Sequence, residues 1–128
     1  MQRNIVAQSY KELVVWQKAI DLTVAVYQLT KKFPKDELFG LVSQMRRASV
    51  SIASNIAEGE GRKSKKEFSR FLGISLGSKA ELETQLILCE RVGLADKSEI
   101  SLIKNSLDEV GRMLAKLKIK QNIQPKIS

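Results

Sequence analysis

Histidine is absent from the 128 residues of this chain. Its absence removes the commonest general base, the commonest zinc ligand and every Ser–His or Cys–His nucleophile pair. The single cysteine, Cys89, can form neither an internal disulfide nor a multi-cysteine metal site, and its apolar neighbours in the sequence predict a buried thiol. We therefore expect a protein that needs no metal or other cofactor and is not an enzyme.

Long apolar runs are missing as well. No stretch approaches the roughly 18 apolar residues of a membrane-spanning helix, and the N-terminus lacks the apolar core of a signal peptide. An unpaired thiol also suits a reducing compartment. We expect a cytoplasmic protein without membrane contact. Aromatic residues make up only 5% of the chain, so a core must be built mainly from Leu, Ile and Val.

What the chain does have is an excess of positive charge. It carries 22 Lys and Arg against 14 Asp and Glu, a formal net charge of +8. An excess of this size on one small domain favours a polyanionic partner, and nucleic acid is the first candidate. The length fits one domain, and 43% hydrophobic residues suffice for a core.

Helix-start signals divide the chain into four segments. Three of the four predicted N-caps have Glu three residues later, the capping-box spacing; the predicted N-caps are Ser9, Asp36, Ser64 and Asp96. The segments end before Pro34, at the Gly59-Glu60-Gly61 stretch, at Gly93 and near Lys120. This pattern predicts an all-α fold, an antiparallel up-down-up-down four-helix bundle over residues 9–120. Residues 1–8 are expected to be a flexible N-terminus and residues 121–128 a basic C-terminal tail.

Apolar residues spaced three and four apart predict the buried face of each helix. In the first helix this row is Leu13, Trp16, Ile20, Val24 and Tyr27. The other rows run from Leu38 to Ile56, from Phe68 to Cys89 and from Ile100 to Leu117. Two glycines lie inside the third helix, where each costs up to about 1 kcal/mol relative to Ala. They predict that a neighbouring backbone comes close, and they are Gly73 and Gly77.

Basic residues form clusters near two helix ends. One cluster surrounds the turn between helices two and three and consists of Arg62, Lys63, Lys65, Lys66 and Arg70. The other lies late in helix four and consists of Arg112, Lys116, Lys118 and Lys120. An antiparallel bundle brings both clusters to the same end. We expect this end to contact nucleic-acid phosphates with salt-dependent affinity. No aromatic residues are interleaved with the clusters, so base-specific reading is not predicted.

Helix two also carries a polar row away from its apolar row. Its members are Gln44, Arg47, Ser51, Asn55 and Glu58, at spacings of three and four. A face exposed only to water would carry more Lys and Glu, whereas these residue types suit fixed hydrogen bonds. The row fits a structural network or an oligomer interface, and a ligand-binding row is the alternative.

Five short motifs occur in order along the chain. They are Leu13-Val14-Val15-Trp16-Gln17-Lys18-Ala19, Phe33-Pro34-Lys35, Gln44-Met45-Arg46-Arg47-Ala48, Ser54-Asn55-Ile56-Ala57-Glu58-Gly59 and Glu81-Leu82-Glu83-Thr84-Gln85-Leu86. With these motifs the chain resembles the bacterial 23S rRNA intervening-sequence protein family over about residues 10 to 118. The resemblance implies a four-helix bundle assembled as a ring-shaped homopentamer. It also implies a similarity in fold to the accessory variability determinant of diversity-generating retroelements, a basic pentamer that binds nucleic acid and a reverse transcriptase.

No catalytic residue of the family can be transferred to this chain. The resemblance instead favours subunit contacts for Glu81, Glu83 and Gln85, together with the polar row of helix two. The leading hypothesis is a non-enzymatic homo-oligomer that binds RNA or DNA through the backbone. The alternative is a protein-interaction scaffold that docks a reverse transcriptase or another acidic partner.

Overall fold

The computed structural model describes residues 9–123 and contains four α-helices, which confirms the predicted all-α bundle. They are α1 (Val14–Thr30), α2 (Ser43–Gly61), α3 (Lys65–Arg91) and α4 (Lys97–Asn122). Packing joins α1 to α2 and α4, and joins α3 to the same two helices. The expectations for residues 1–8 and for 124–128 lie outside the described residues. Helix α4 continues through Asn122, past the predicted start of the tail at Gln121.

The starts of α3 and α4 are those that the capping signals predict. Ser64 Oγ accepts a hydrogen bond from the Glu67 amide at 3.2 Å. Asp96 and Glu99 complete a reciprocal capping box, with bonds of 2.9 and 3.2 Å. Both helices therefore begin with their free amide groups partly satisfied by side chains.

The predicted start of the first helix at Ser9 is wrong. Ser9 accepts from the Lys11 amide and caps only a 3₁₀ turn, Tyr10–Glu12. The backbone is then extended at Leu13 (φ −74°, ψ 126°), so α1 begins at Val14. A capping pair fixes one local turn, and nothing in it requires the helix to continue.

The predicted cap at Asp36 is also wrong. Residues Lys35–Glu37 form a 3₁₀ turn, and Leu38–Val42 form a π-helical turn that Gly40 bends (φ −109°, ψ −108°). Helix α2 begins only at Ser43. At its other end the left-handed residue is Lys63 (φ 55°), and not one of the nearby glycines.

The buried faces of α2, α3 and α4 largely follow the predicted rows. Their fully buried members include Met45, Ile52, Ile56, Leu72, Leu82, Leu86, Leu107 and Leu114. Leu38 is the exception, because it precedes the start of α2 and remains exposed. These side chains meet on the bundle axis and supply most of the hydrophobic core.

Helix α1 turns a different face to the core from the one predicted. Its buried apolar residues are Val15, Ala19, Leu22, Val26 and Leu29. The predicted core residues Ile20, Val24 and Tyr27 are instead 37%, 50% and 42% exposed. Helix α1 has two apolar rows, both with helical spacing, and spacing alone does not tell which row is buried.

The glycine prediction is corrected in a similar way. A Cβ added at Gly77 would meet no atom within 4 Å, and one at Gly73 would meet only the Lys118 side chain at 3.3 Å. Within the described chain no neighbouring backbone approaches either residue. The close helix contact lies at Gly59, where an added Cβ would stand 2.6 Å from the Cβ of Phe71. Gly59 therefore lets α2 and α3 come together beside the basic clusters.

None of the helices in residues 9–123 has the length and apolar character to cross a membrane.

Candidate functional site

The two predicted basic clusters meet at one end of the bundle, here called the basic end. It contains the N-terminal ends of α1 and α3 and the C-terminal ends of α2 and α4. The direct link is a hydrogen bond from Lys118 Nζ on α4 to Ser69 Oγ on α3, at 3.0 Å. The structure thus brings together basic residues that are about 50 positions apart in the sequence.

Two arginines of the basic end lie over one aromatic ring. The guanidinium carbon of Arg70 is 4.5 Å from the ring centre of Phe71, and that of Arg62 is 5.1 Å from it. Cation–π contacts of this kind contribute about 0.5–1 kcal/mol at exposed sites. Phe71 itself packs on Gly59, so the helix contact also orients the arginines.

Acidic neighbours pair with three of the basic residues. Arg62 pairs with Glu58 at 3.0 Å, and Lys63 pairs with Glu60 at 3.0 Å. Arg70 pairs with Glu67 at 3.1 Å. The hydrogen bond from Arg70 holds the pKa of Glu67 below its usual value. These exposed pairs are worth little individually, but they reduce the local positive field.

The other six predicted phosphate contacts form no ion pair within residues 9–123. They are Lys65, Lys66, Arg112, Lys116, Lys118 and Lys120. All but Lys118 are exposed. The field of the basic end therefore comes mainly from the first turn of α3 and the last three turns of α4.

A third group of basic residues, Lys31, Lys32 and Lys35 before α2, lies at the opposite end of the bundle. Lys32 forms an ion pair there with Glu99, which follows the N-cap of α4. This hydrogen bond from Lys32 lowers the pKa of Glu99. Lys31 and Lys35 are exposed on the same turn. This cluster is thus separated from the basic end by the length of the bundle.

Part of the predicted polar row faces α3 across a groove, here called the α2–α3 groove. It has a volume of about 370 Å³ and is lined by Gln44, Arg47, Ala48, Ser51, Glu81 and Gln85. Four of these residues come from α2 and two come from α3. The structure therefore brings five of the eight residues predicted for subunit contacts into this groove. Ala48 adds a small apolar surface.

Hydrogen bonds within the chain hold Ser51 in the wall of this groove. Ser51 Oγ lies 2.7 Å from Ser78 Oγ, and Asn55 Nδ2 donates to the Ser51 carbonyl oxygen at 2.8 Å. Gln85 is only 9% exposed, and its Oε1 has no hydrogen-bond partner among the described residues. A buried acceptor without a donor costs about 1–3 kcal/mol. The groove thus contains an amide that a bound group could stabilise.

The other three predicted residues do not line the groove: Asn55 lies beside Ser51, and the remaining two form ion pairs elsewhere. Glu58 pairs with Arg62 at the basic end. Glu83 pairs with Lys79 at 3.2 Å, and Lys79 also approaches Asp108 of α4 at 3.9 Å. Glu83 therefore takes part in the contact between α3 and α4 and is not in the α2–α3 groove. The role of the polar row in subunit contacts stays a prediction.

An exposed apolar surface between α1 and α2 was missed by the sequence reasoning. This α1–α2 apolar face consists of Ile20, Val24 and Tyr27 of α1 and Val50 of α2, all more than a third exposed. Arg46 stacks on the Tyr27 ring at 4.5 Å. The signal in the sequence is the second apolar row of α1, which leaves one row free once the other is buried. Contiguous exposed apolar side chains of this kind are typical of interaction sites.

Cys89 is buried, as its neighbours predict. Burial raises the pKa of its thiol to about 11. Its Sγ lies 3.4 Å from Met45 Sδ in the core. Among residues 9–123, no three His, Cys, Asp or Glu side chains group together as metal ligands.

Comparison with known proteins gives a family and a related structure. The model of a family described as 23S rRNA-intervening sequence protein matches residues 11–116. The chain also resembles a crystal structure of a protein with unknown function from the S23 ribosomal protein family of Bacteroides thetaiotaomicron. That likeness has a TM-score of 0.74 and 26% identity, and covers 82% of this chain and 98% of the other. No curated protein matches the chain. Because the family model spans most of the bundle, this chain belongs to the 23S rRNA-intervening sequence protein family.

Proposed function

We propose that this protein is a non-enzymatic homo-oligomer that binds RNA or DNA through the phosphate backbone at the basic end. The observation that carries the proposal is the Lys118–Ser69 hydrogen bond, which joins the basic clusters of α3 and α4. Six cations of these clusters lack acidic partners within the described chain, and five of them are exposed. Exposed lysines without acidic partners suit contact with phosphates, because binding releases the counterions of the nucleic acid.

Assembly is the second part of the proposal. The α1–α2 apolar face exposes four large apolar side chains around one groove, and contiguous exposed apolar surface of this kind marks interaction sites. We propose that a second copy of the chain covers it. A ring of five copies, which the family resemblance implies, would repeat the basic end five times around one assembly and strengthen binding to a long polyanion.

The nucleic-acid proposal is tested by binding of single-stranded and duplex RNA and DNA at several salt concentrations. We expect Lys65→Gln with Lys66→Gln to weaken binding to every sequence and to reduce the slope of log K against log salt by roughly 0.7–0.9 for each phosphate that the variant no longer neutralises. The charge-matched control is Lys31→Gln with Lys35→Gln at the opposite end, which should change little. Salt-independent binding, or equal effects of the two double variants, would refute the basic end as the site.

The assembly proposal is tested by the mass of the protein in solution. We expect Val24→Glu to give smaller particles with unchanged helix content, because the charge disrupts an apolar contact outside the core. The control is Leu102→Glu on α4, where the side chain is 72% exposed and outside the proposed contact. A wild-type monomer at all concentrations, or an assembly indifferent to Val24→Glu, would contradict it.

The adaptor alternative is separated by isolating bound partners after nuclease treatment. Partners that disappear with the nucleic acid support the proposal. Protein partners that remain bound would favour the scaffold and would overturn nucleic acid as the main ligand.

A further inference from the structure

We propose that the α2–α3 groove binds a single unstacked guanine base of a nucleic-acid strand held at the basic end. This inference rests on the proposed function and adds sequence preference to it. It is carried by the charges and amides that line the groove, none of which the backbone contact uses.

The two walls of the groove carry opposite charges that remain apart. Arg47 lies on the α2 wall and Glu81 on the α3 wall, and both are exposed. Neither forms an ion pair within the described part of the chain, so their charged groups are more than 4.0 Å from each other. A group that fits between them must present acceptors to the guanidinium and donors to the carboxylate.

The amides of the groove strengthen the same requirement. Gln85 is more than nine-tenths buried, and its Oε1 lacks a donor. Gln44 lies beside Arg47 on the α2 wall and can either donate or accept. Because Oε1 is buried as it stands, the amide must rotate to turn this atom into the groove, where the N–H group of a ligand on the α3 wall would then supply the missing hydrogen bond.

Guanine has this combination of groups. Its N7 and O6 are adjacent acceptors that arginine contacts in a bidentate manner, and its N1–H and N2 amino group are adjacent donors. Adenine lacks the oxygen acceptor, and the pyrimidines lack the second ring with N7. Guanine is therefore the base that can bind Arg47 with one edge and Glu81 with the other.

The shape of the groove limits the form of the nucleic acid. At about 370 Å³ the groove is near the small end of the roughly 300–1,000 Å³ of ligand sites, and it has room for a single base. A base must leave a helix to expose both edges, so the strand must be single-stranded or locally open. Arg47 lies roughly 22 Å along the α2 axis from Arg62, at ~1.5 Å per residue, so several nucleotides would separate the bound base from the basic end.

The test measures affinity for single-stranded oligonucleotides that differ at one base. Matched strands contain guanine, adenine, inosine, which lacks the N2 amino group, or 7-deazaguanine, which lacks N7. We expect guanine to bind roughly 5- to 150-fold more tightly than adenine, the range that one bidentate base contact supplies. Each analogue should show part of that reduction in affinity.

Two variants assign the contacts. Glu81→Ala should abolish discrimination against inosine, because it removes the carboxylate oxygens that accept from the N2 amino group, and should retain discrimination against 7-deazaguanine. Arg47→Ala should do the reverse. The controls are Glu90→Ala and Arg91→Ala, the same changes on α3 outside the groove, and both should behave as the wild type.

The possible failures are distinct. Equal binding of all four strands, weakened by Lys65→Gln with Lys66→Gln, would refute the guanine site and leave the proposed function intact. No binding of any strand at low salt would refute both. A change in solution mass caused by Arg47→Ala would make the groove a subunit contact and overturn the site.

Discussion

Replacing Gly59 with alanine tests the closest helix contact at the basic end. An added Cβ would stand 2.6 Å from Phe71 Cβ and 3.1 Å from Phe68 Cδ1. Carbon atoms prefer separations of about 3.5–4.0 Å, so α2 and α3 must move apart by roughly 1 Å. Overpacking of this kind costs about 1–3 kcal/mol. Alanine gains up to about 1 kcal/mol over glycine inside a helix, so the net destabilisation should be about 0.5–2 kcal/mol.

Gly77→Ala is the matched control, since it makes the same substitution in open space. With nothing within 4 Å of the new methyl group, only the helix preference remains, and we expect a gain of about 0.5–1 kcal/mol. Thermal and urea unfolding, followed by far-ultraviolet circular dichroism at one protein concentration, measure the change in stability of both variants. For a chain of this size each kcal/mol corresponds to about 4 °C in Tm.

Opposite signs at the two glycines are the expected result. A Gly59→Ala protein as stable as the wild type would refute the rigid contact with Phe71. A decrease in stability at Gly77 would mean that a surface outside the chain covers this part of α3, contrary to the open space found there.

Three further outcomes follow from the caps and the core. Asp96→Ala should lower stability by about 1 kcal/mol, because it removes the N-cap of α4. The bond from the Glu99 amide lowers the pKa of Asp96, so the stabilisation by this cap should be complete above about pH 5 and shrink as the pH falls through the lowered pKa. Unfolding curves at several pH values would measure this dependence. Cys89, with its thiol pKa raised to about 11, should react with N-ethylmaleimide only when the protein unfolds, and rapid labelling of the native protein would contradict its burial. Ser75→Ala removes a buried hydrogen bond of 2.9 Å to the Ile52 carbonyl and should cost about 0.5–1.5 kcal/mol in urea unfolding.

The sequence predicts those features that depend on neighbouring residues. The structure confirms the predicted caps at Ser64 and Asp96 and the predicted helix end at Gly93, because each depends on residues within one turn. At Gly93 the backbone is left-handed (φ +80°), and the Leu94 amide donates to the Cys89 carbonyl at 2.9 Å. The buried rows of α2, α3 and α4 also follow, since each of these helices has one dominant apolar side. The meeting of two basic clusters follows from the antiparallel order alone.

Features decided by tertiary packing are the ones that sequence reasoning misses. Val24 and Val26 are equally apolar, and only the position of α1 against α2 and α4 buries the second and exposes the first. Gly59 and Gly77 likewise look alike in the sequence, yet only Gly59 faces an aromatic ring. The separation of Glu83 from Gln85 depends on the rotation of α3, which brings Lys79 and Asp108 to one side.

The start of α1 and the end of α4 lie beside one another. Leu13, just before α1, and Ile123, just after α4, line the same groove beside the basic end. Neighbouring ends of this kind permit circular permutation. In such a variant the old ends would be joined and the chain opened in the exposed turn around Gly93, and the four helices would keep their order around the core. Both new ends, and any tag fused to them, would then lie at the end of the bundle opposite Lys65 and Lys120.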